Sequence, residues 1–236
     1  MRAAAVVPAA GKGVRFGRRG RRKQFRELAG TPVVLRACRT LGRDPAVDWL
    51  VLVLPPDVAE DPPPWCDGVA DRVVAGGESR RASVSAGLVA TPGEADVILV
   101  HDGVRPLVTP RLVRAVREAA EEGPVVPVVR IRDTVKEVDP EGRVVATLDR
   151  DRLRRVQTPQ GFPAGTLRKV HRRAREEGWE GTDDASLCER AGEAVATVPG
   201  DPRNLKVTTP SDLARAEWLL DRSDATAGDG PAPAGR

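Results

Sequence analysis

The residues best suited to chemistry in this 236-residue chain stand where short apolar runs end. The first run, Ala3 to Val7, leads into Pro8-Ala9-Ala10-Gly11-Lys12-Gly13-Val14-Arg15-Phe16. Small side chains there let backbone amides approach a ligand closely, and glycine supplies positive φ where a turn needs it. No Gly-Lys-Ser/Thr follows, so this is not a P-loop, and Phe16 stands where the dinucleotide fingerprint needs its third glycine. Seven of the twelve residues from Arg15 to Arg26 are basic. Taken singly, Arg18, Arg19, Arg21 and Arg22 read as a solvated charge run. The whole, a small-residue turn followed by a cationic loop at the end of a first strand, reads as an anion site.

Three further segments can carry function. The run Val97 to Val100 ends in His101-Asp102-Gly103-Val104-Arg105-Pro106. Asp102 there can hold a ribose hydroxyl or a divalent metal with Arg105 to orient it, or the two can form a buried pair that only shapes the turn. Gly76-Gly77-Glu78-Ser79-Arg80-Arg81-Ala82-Ser83 lets a flat base meet backbone groups, and its plainer reading is a turn with a helix cap. Lys206 lies between apolar neighbours in Asn204-Leu205-Lys206-Val207-Thr208 and is one of five Lys against 33 Arg, so it reads as more than a solvated surface group. His101 reads as structural and His171, on an apolar helical stripe, as core. Arg150, Thr158-Pro159-Gln160 and Thr182-Asp183-Asp184-Ala185 say little by spacing alone.

The elements that must position these residues alternate in type. Ala3 to Val7, Trp49 to Leu54, Arg72 to Ala75, Val97 to Val100 and Val125 to Val129 read as buried strands. Near-continuous apolarity of this kind suits a parallel sheet covered on both faces. Helical patterns lie between them. Thr109-Pro110 opens one that Gly123 ends; Val34, Cys38 and Leu41 stripe a second; Leu167, Val170, His171 and Ala174 stripe a third that stops at Gly178; Thr209-Pro210 opens the last. Ser79 to Ala90 is a weaker helical pattern. The alternation predicts an α/β layered fold. Residues 133–147 break it as a hairpin turning at Asp139-Pro140-Glu141-Gly142, poor in large apolar residues and so expected to project as an arm. Pro8 to about Pro32 is a loop far longer than the ~2–6 residues of an ordinary βα connection. The composition of Ser223 to Arg236 predicts a disordered tail, leaving one domain over residues 1–222.

Composition excludes several classes. Lys+Arg total 38 against 34 acids, a net charge of +4 that does not suit a histone-like nucleic-acid binder. Aromatics are 3% of the chain, too few for a base-stacking single-strand binder. Cys38, Cys66 and Cys188 form no disulfide framework or paired zinc motif, and two His cannot build a His-rich metal centre. Apolar runs fall far short of a membrane span, and the five residues before Pro8 are below the ~7–15 of a signal-peptide core. A soluble, reducing, cytoplasmic setting is expected.

In order, PAAGKGVRF, KQF, GGESRRASV, HDGVRP, RDTVK, LDR, TPQGF, TDDAS and NLKVT resemble the motifs of the 2-C-methyl-D-erythritol 4-phosphate cytidylyltransferase family across residues 5–220. The ribitol 5-phosphate relatives share much of the set. The resemblance implies a Rossmann-like, nucleotide-diphospho-sugar transferase fold, mostly parallel, with a β-arm at about 133–155 that interlocks in a homodimer. It implies that Ala9, Ala10 and Gly11 contact CTP, that Gly77 and Ser83 read cytosine, that Arg15 and Lys23 grip the triphosphate, and that Lys206 holds the α-phosphate. Asp102 would hold ribose and Mg²⁺, with Arg105 beside it. Thr134, Arg150, Thr158 and Thr182 would bind the polyol phosphate, some from the partner's arm. Arg22 stands where the family usually has Pro, and Gly103 and Val104 where it commonly has two Ala. The implied reaction is nucleotidyl transfer: an acceptor phosphate oxygen attacks the α-phosphorus and pyrophosphate leaves. The remaining alternative is a non-catalytic nucleotide- or RNA-binding module using the basic loop.

Overall fold

The computed structural model describes residues 1–11 and 22–228, with side chains through Arg222. Twelve strands and seven α-helices occur among them: β1 Ala3–Pro8, β2 Glu27–Leu28, β3 Thr31–Pro32, α1 Val33–Gly42, β4 Trp49–Leu54, α2 Pro56–Ala59, β5 Arg72–Ala75, α3 Arg80–Ala90, β6 Val97–Val100, α4 Pro110–Ala119, β7 Val125–Arg130, β8 Val135–Val138, β9 Val144–Leu148, β10 Arg154–Val156, β11 Gln160–Pro163, α5 Ala164–Glu176, α6 Asp184–Arg190, β12 Ala196–Pro199 and α7 Pro210–Gly228.

The main sheet runs β10-β7-β11-β6-β1-β4-β5, with β12 also paired to β7. β6, β1, β4 and β5 are mutually parallel; β11 and β10 run antiparallel to their neighbours. The chain leaves β1 toward β4 and returns to β6 on the other side, so the order reverses at β1. That reversal opens a crevice outside the carboxyl ends of the strands, where open α/β sheets take their ligands.

Alternate residues of each central strand face opposite layers. Ala3, Ala5, Val7, Leu52 and Leu99 pack with Val34, Cys38 and Leu41 of α1 and Leu112, Val113 and Val116 of α4. Ala4, Val6, Val53, Ile98 and Phe162 pack with Val84 of α3, Leu167 and Val170 of α5 and Leu187 of α6. The continuous apolar runs at β1, β4, β6 and β7 are therefore strands buried on both sides, whereas β5, expected to be buried, is the edge strand, with Arg72 and Ala75 exposed and Val73 and Val74 half-buried. The absence of a side chain at Gly87 lets α3 come close to β1 and β4: a Cβ there would lie 2.4 Å from Val6 Cγ1 and 3.0 Å from Val53 Cγ2.

The expected helices form with N-terminal caps at Ser79 and Thr109, although α4 stops at Ala119, before Gly123. The Thr109 hydroxyl accepts from the Leu112 N–H, and the Ser79 hydroxyl from the Ala82 N–H. Three further features differ from the sequence reading. The arm is shorter: the β8–β9 hairpin forms its own two-stranded sheet, but β10 returns to the main sheet, so the arm ends before residue 154. α7 continues to Gly228, through the start of the segment read as a disordered tail; 229–236 lie outside the described residues. Strands β10, β11 and β12 and helix α6 carried too little periodicity to be read. Cys38, Cys66 and Cys188 are buried and unpaired with one another.

His101 ties the end of β6 to the segment between β10 and β11, which includes the cis Thr158–Pro159 bond. Its Nε2 lies 3.1 Å from the Arg105 carbonyl and its Nδ1 3.1 Å from the Thr158 hydroxyl. A carbonyl only accepts, so Nε2 carries the proton and Nδ1 accepts from Thr158. Burial lowers the His101 pKa to about 4, so the ring is neutral at pH 7.

Two stability outcomes follow. Gly87→Ala gains helix propensity but drives a methyl into β1, and overpacking costs about 1–3 kcal/mol, so the urea midpoint should fall. An unchanged or raised midpoint would contradict the packing. The unfolded chain takes up the His101 proton near pH 6.5 and the folded chain only near 4. Stability is thus full above the unfolded value and should decline between those limits, by roughly 3 kcal/mol. Urea titrations at stepped pH should show a shallower slope in His101→Asn than in the wild type above about pH 5, where the depressed carboxyls of Asp102, Asp184 and Asp212 contribute little.

Candidate nucleotide-transfer site

A cleft of about 210 Å³ opens at the carboxyl ends of β1, β5 and β6. Ala9, Ala10, Gly11, Lys23, Gly77, Ser83, Asp102 and Lys206, all drawn from motifs far apart in sequence, line it together. Arg15 lies outside the described residues.

The floor is the turn after β1. The Ala9 N–H donates to the Val53 carbonyl at 2.8 Å. Gln24, buried in the Lys23–Phe25 turn, donates from Nε2 to the carbonyls of Ala9 at 2.7 Å and Gly11 at 3.0 Å. The KQF motif thus clamps the small-residue loop from beneath while its Lys faces the cleft. The second wall is Gly76-Gly77. A Cβ on Gly76 would lie 2.3 Å from Ala10 Cβ, and one on Gly77 2.5 Å from Ala82 Cβ. Glycine is required by close approach here, and the Ser83 hydroxyl holds the loop by donating to the Ser79 carbonyl at 3.0 Å.

Asp102 is the electrostatic centre. Its Oδ2 lies 2.8 Å from Lys206 Nζ and 3.6 Å from Arg105 Nε, and its Oδ1 3.9 Å from Arg80 Nε. Burial pushes this carboxyl up, but Lys206, Arg80 and Arg105 outweigh it and hold it well below the usual carboxylate range. Asp102 therefore stays ionised. Among the described residues no three His, Cys, Asp or Glu converge as a metal cage. One ionised carboxylate beside a phosphate-sized cleft nevertheless fits Mg²⁺, which is commonly held by one or two carboxylates plus substrate phosphates.

Lys206 is fixed by groups that spacing did not single out. The Val207 N–H donates to the Val104 carbonyl at 2.8 Å, and Arg105 Nη1 donates to the Asn204 carbonyl at 2.7 Å. Asn204, fully buried, donates to the Thr158 carbonyl at 2.8 Å, and Gln157 Nε2 donates to the carbonyls of Asp201 and Asn204. On the far side, Asp212 Oδ2 accepts four hydrogen bonds from Thr208 and Thr209. Burial raises its carboxyl, but those bonds prevail and bring it to about 2. Val104 and Val207 share a small core with Leu28, Val33 and Ala216.

Arg105 and Thr158 contact Asp102 but do not line the cleft, and they already meet protein groups: Arg105 as above, Thr158 through His101 and the Asp102 N–H at 3.0 Å. Thr182 is exposed just before the Asp183 cap of α6 and does not line the cleft. Thr134 and Arg150 are exposed at the base of the arm. Arg150 lines a separate cavity of about 860 Å³ with Arg130, Arg132, Arg155 and Arg215 and donates to the Arg132 carbonyl at 2.6 Å. Within one chain the structure does not bring these two to Asp102. Arg22, the departure from the family's Pro, pairs with Asp57 at 3.0 Å. A Cβ at Gly103 would sit 3.1 Å from both Ala9 Cβ and Val34 Cγ2, so an alanine would be tight there.

Comparison with known proteins agrees with this geometry. A relative from Streptomyces coelicolor, a 2-C-methyl-D-erythritol 4-phosphate cytidylyltransferase, is 46% identical over 94% of this chain and 86% of its own length. A bifunctional IspD/IspF enzyme of Desulforudis audaxviator is 50% identical over 92% of this chain, which spans 56% of that protein. The crystal structure of the cytidylyltransferase from Thermus thermophilus superposes with a TM-score of 0.80 at 34% identity, covering 94% of this chain and all of that one. The sequence profile of IspD, 2-C-methyl-D-erythritol 4-phosphate cytidylyltransferase, matches residues 3–222, and the chain belongs to that family.

Proposed function

We propose that this chain transfers the CMP unit of CTP to 2-C-methyl-D-erythritol 4-phosphate and releases pyrophosphate, acting as a cytoplasmic, Mg²⁺-dependent homodimer. The observation that carries the reading is the Lys206–Asp102 pair at 2.8 Å, set in a cleft whose floor is the small-residue turn after β1.

An acceptor phosphate oxygen attacks the α-phosphorus in line; the new P–O bond forms as the bond to the β-phosphate bridging oxygen breaks. The nucleophile is already an anion, so no general base is required. What the protein must supply is alignment and positive charge where negative charge builds. Backbone at Ala9, Ala10 and Gly11 would lie against the nucleotide, Gly77 and Ser83 against cytosine and Lys23 on the triphosphate, with Arg15, outside the described residues, assigned to the triphosphate by its motif alone. Lys206 meets the α-phosphate, with Asp102 as its counter-ion and the holder of ribose. Bound Mg²⁺ would neutralise the phosphates, held by Asp102 together with phosphate oxygens. Arg105 and Thr158 would exchange their present protein partners to take the acceptor, with Thr182 at the rim.

The arm supports a dimer. A lone two-stranded hairpin is marginal in water, and this one exposes Val138, Val144 and Val145 at 55–63%. Covering it with a second copy would carry Thr134 of the partner subunit and Arg150 of the partner subunit to the acceptor.

Pyrophosphate release should require CTP, Mg²⁺ and methylerythritol phosphate, with ribitol 5-phosphate as the competing acceptor; turnover with neither overturns the function. Lys206→Ala should lower kcat by about 10²–10³-fold, the usual effect of losing one preorganised charge. Normal kcat in that variant would remove Lys206 from the mechanism. Mixing and re-equilibrating Lys206→Ala with Arg150→Ala should restore roughly a quarter of wild-type activity, because each heterodimer keeps one intact composite site. No recovery on mixing would place Arg150 in the same subunit's site or outside it.

A further inference from the structure

Asp184 has no role assigned above, and Arg80 only that of one of the cations near Asp102, yet the two are joined to each other. Arg80 is the first residue of α3, immediately after the Ser79 cap. Its guanidinium spans two carboxylates: Nη1 is 2.7 Å from Asp184 Oδ2, while Nε is 3.9 Å from Asp102 Oδ1. Coulomb attraction falls with distance and hydrogen bonding ends near 3.5 Å, so Asp184 takes most of the Arg80 charge.

Asp184 cannot follow Arg80 toward Asp102. It is fully buried, and its Oδ1 accepts from His171 Nε2 at 2.9 Å. The His171 Nδ1 in turn sits 2.9 Å from the Ser85 hydroxyl. The Asp184 N–H donates to Gln160 Oε1 at 3.1 Å, and the capping box of Asp183 and Ser186 fixes the start of α6. Burial raises the Asp184 carboxyl, but Arg80 and His171 prevail, so it remains an anion.

The two oxygens of Asp102 differ as a result. Lys206 Nζ lies 2.8 Å and Arg105 Nε 3.6 Å from Oδ2, whereas Arg80 Nε approaches Oδ1 at 3.9 Å, beyond hydrogen-bond reach. We infer that Asp184 is a positioning residue that restrains Arg80 from closing onto Asp102, leaving Oδ1 open to the nucleotide while Arg80 still steadies the charge. Without the restraint Arg80 would close onto Oδ1 and occupy the position a ligand needs. The harm from losing Asp184 would then be done by Arg80 itself. This rests on the cytidylyltransferase reading of the cleft.

The test is a double-mutant cycle on the full chain, with kcat and KM from pyrophosphate release and the CTP dissociation constant from calorimetry without acceptor. Asp184→Asn keeps the shape and removes the charge. It should weaken CTP binding and lower kcat, each by about tenfold or more. Adding Arg80→Gln should recover several-fold of both. A purely structural pair gives a double variant no better than Asp184→Asn, and that result overturns the inference. Should Asp184→Asn fail to fold, Arg80→Lys serves: one ammonium cannot span both carboxylates, so CTP affinity should fall about tenfold with the thermal midpoint nearly unchanged. Unchanged CTP affinity in that variant overturns it equally. Wild-type turnover in the same assay tests the functional reading separately.

Discussion

A carboxylate held as an anion at the end of a central strand is the constraint around which this molecule is arranged. Asp102 is almost wholly buried, and a buried charge without partners would cost several kcal/mol or would protonate. Three cations prevent that, and each comes from a different element: Lys206 from the segment before α7, Arg80 from the start of α3, Arg105 from the turn after β6. Satisfying one charge therefore fixes the relative placement of three loops. The neutral His101 behind it, bonded to Thr158 and to the Arg105 carbonyl, adds no competing charge.

The same arrangement serves chemistry that needs no proton transfer. A phosphate acceptor brings its own negative charge, so the enzyme must concentrate cations without letting them pair off permanently. Asp102 pairs with Lys206 at the cleft wall, and Lys206 stays partly exposed, at 40%, where the proposed reaction needs positive charge. Around this pair the supports are polar and buried: Gln24 under the β1 turn, Asn204 and Gln157 under the Lys206 segment. Each has fixed backbone carbonyls to bond, which limits how far the loops can drift.

Much of the fold was legible because both faces of its central strands are buried. Such strands are short, β-branched and bounded by turn residues, so β4 and β6 read at the observed bounds; β5, at the sheet edge, read from its Val-Val pair and not from burial. The caps at Ser79 and Thr109 read from chemistry alone. The strands that were missed have a physical reason for their silence. β10 is Arg-Arg-Val with all three residues exposed, and β11 contains Gly and Pro, so neither shows an alternating pattern. Helix α6 has seven residues, too few for a stripe. The arm read correctly as a hairpin, but its far limit did not, since pairing of 154–156 to β7 is a long-range event with no local signal.

What the sequence determined by itself is the chemistry available. The small-residue turn, the Gly-Gly wall, Asp102 and the scarce Lys206 are distinguishable by residue type, and their ordered motifs point to one family. What only tertiary structure decided is how charge is shared. Gln24, Arg80, Asp184, Asn204 and Gln157 are ordinary letters in the sequence, and Arg80 is hidden among 33 Arg. Ion pairing depends on distance and burial, and neither exists until β1, β5, β6 and the helix starts are brought to one edge. The single chain likewise leaves Thr134 and Arg150 away from Asp102, because their separation is set by an arm that reaches outward from the sheet.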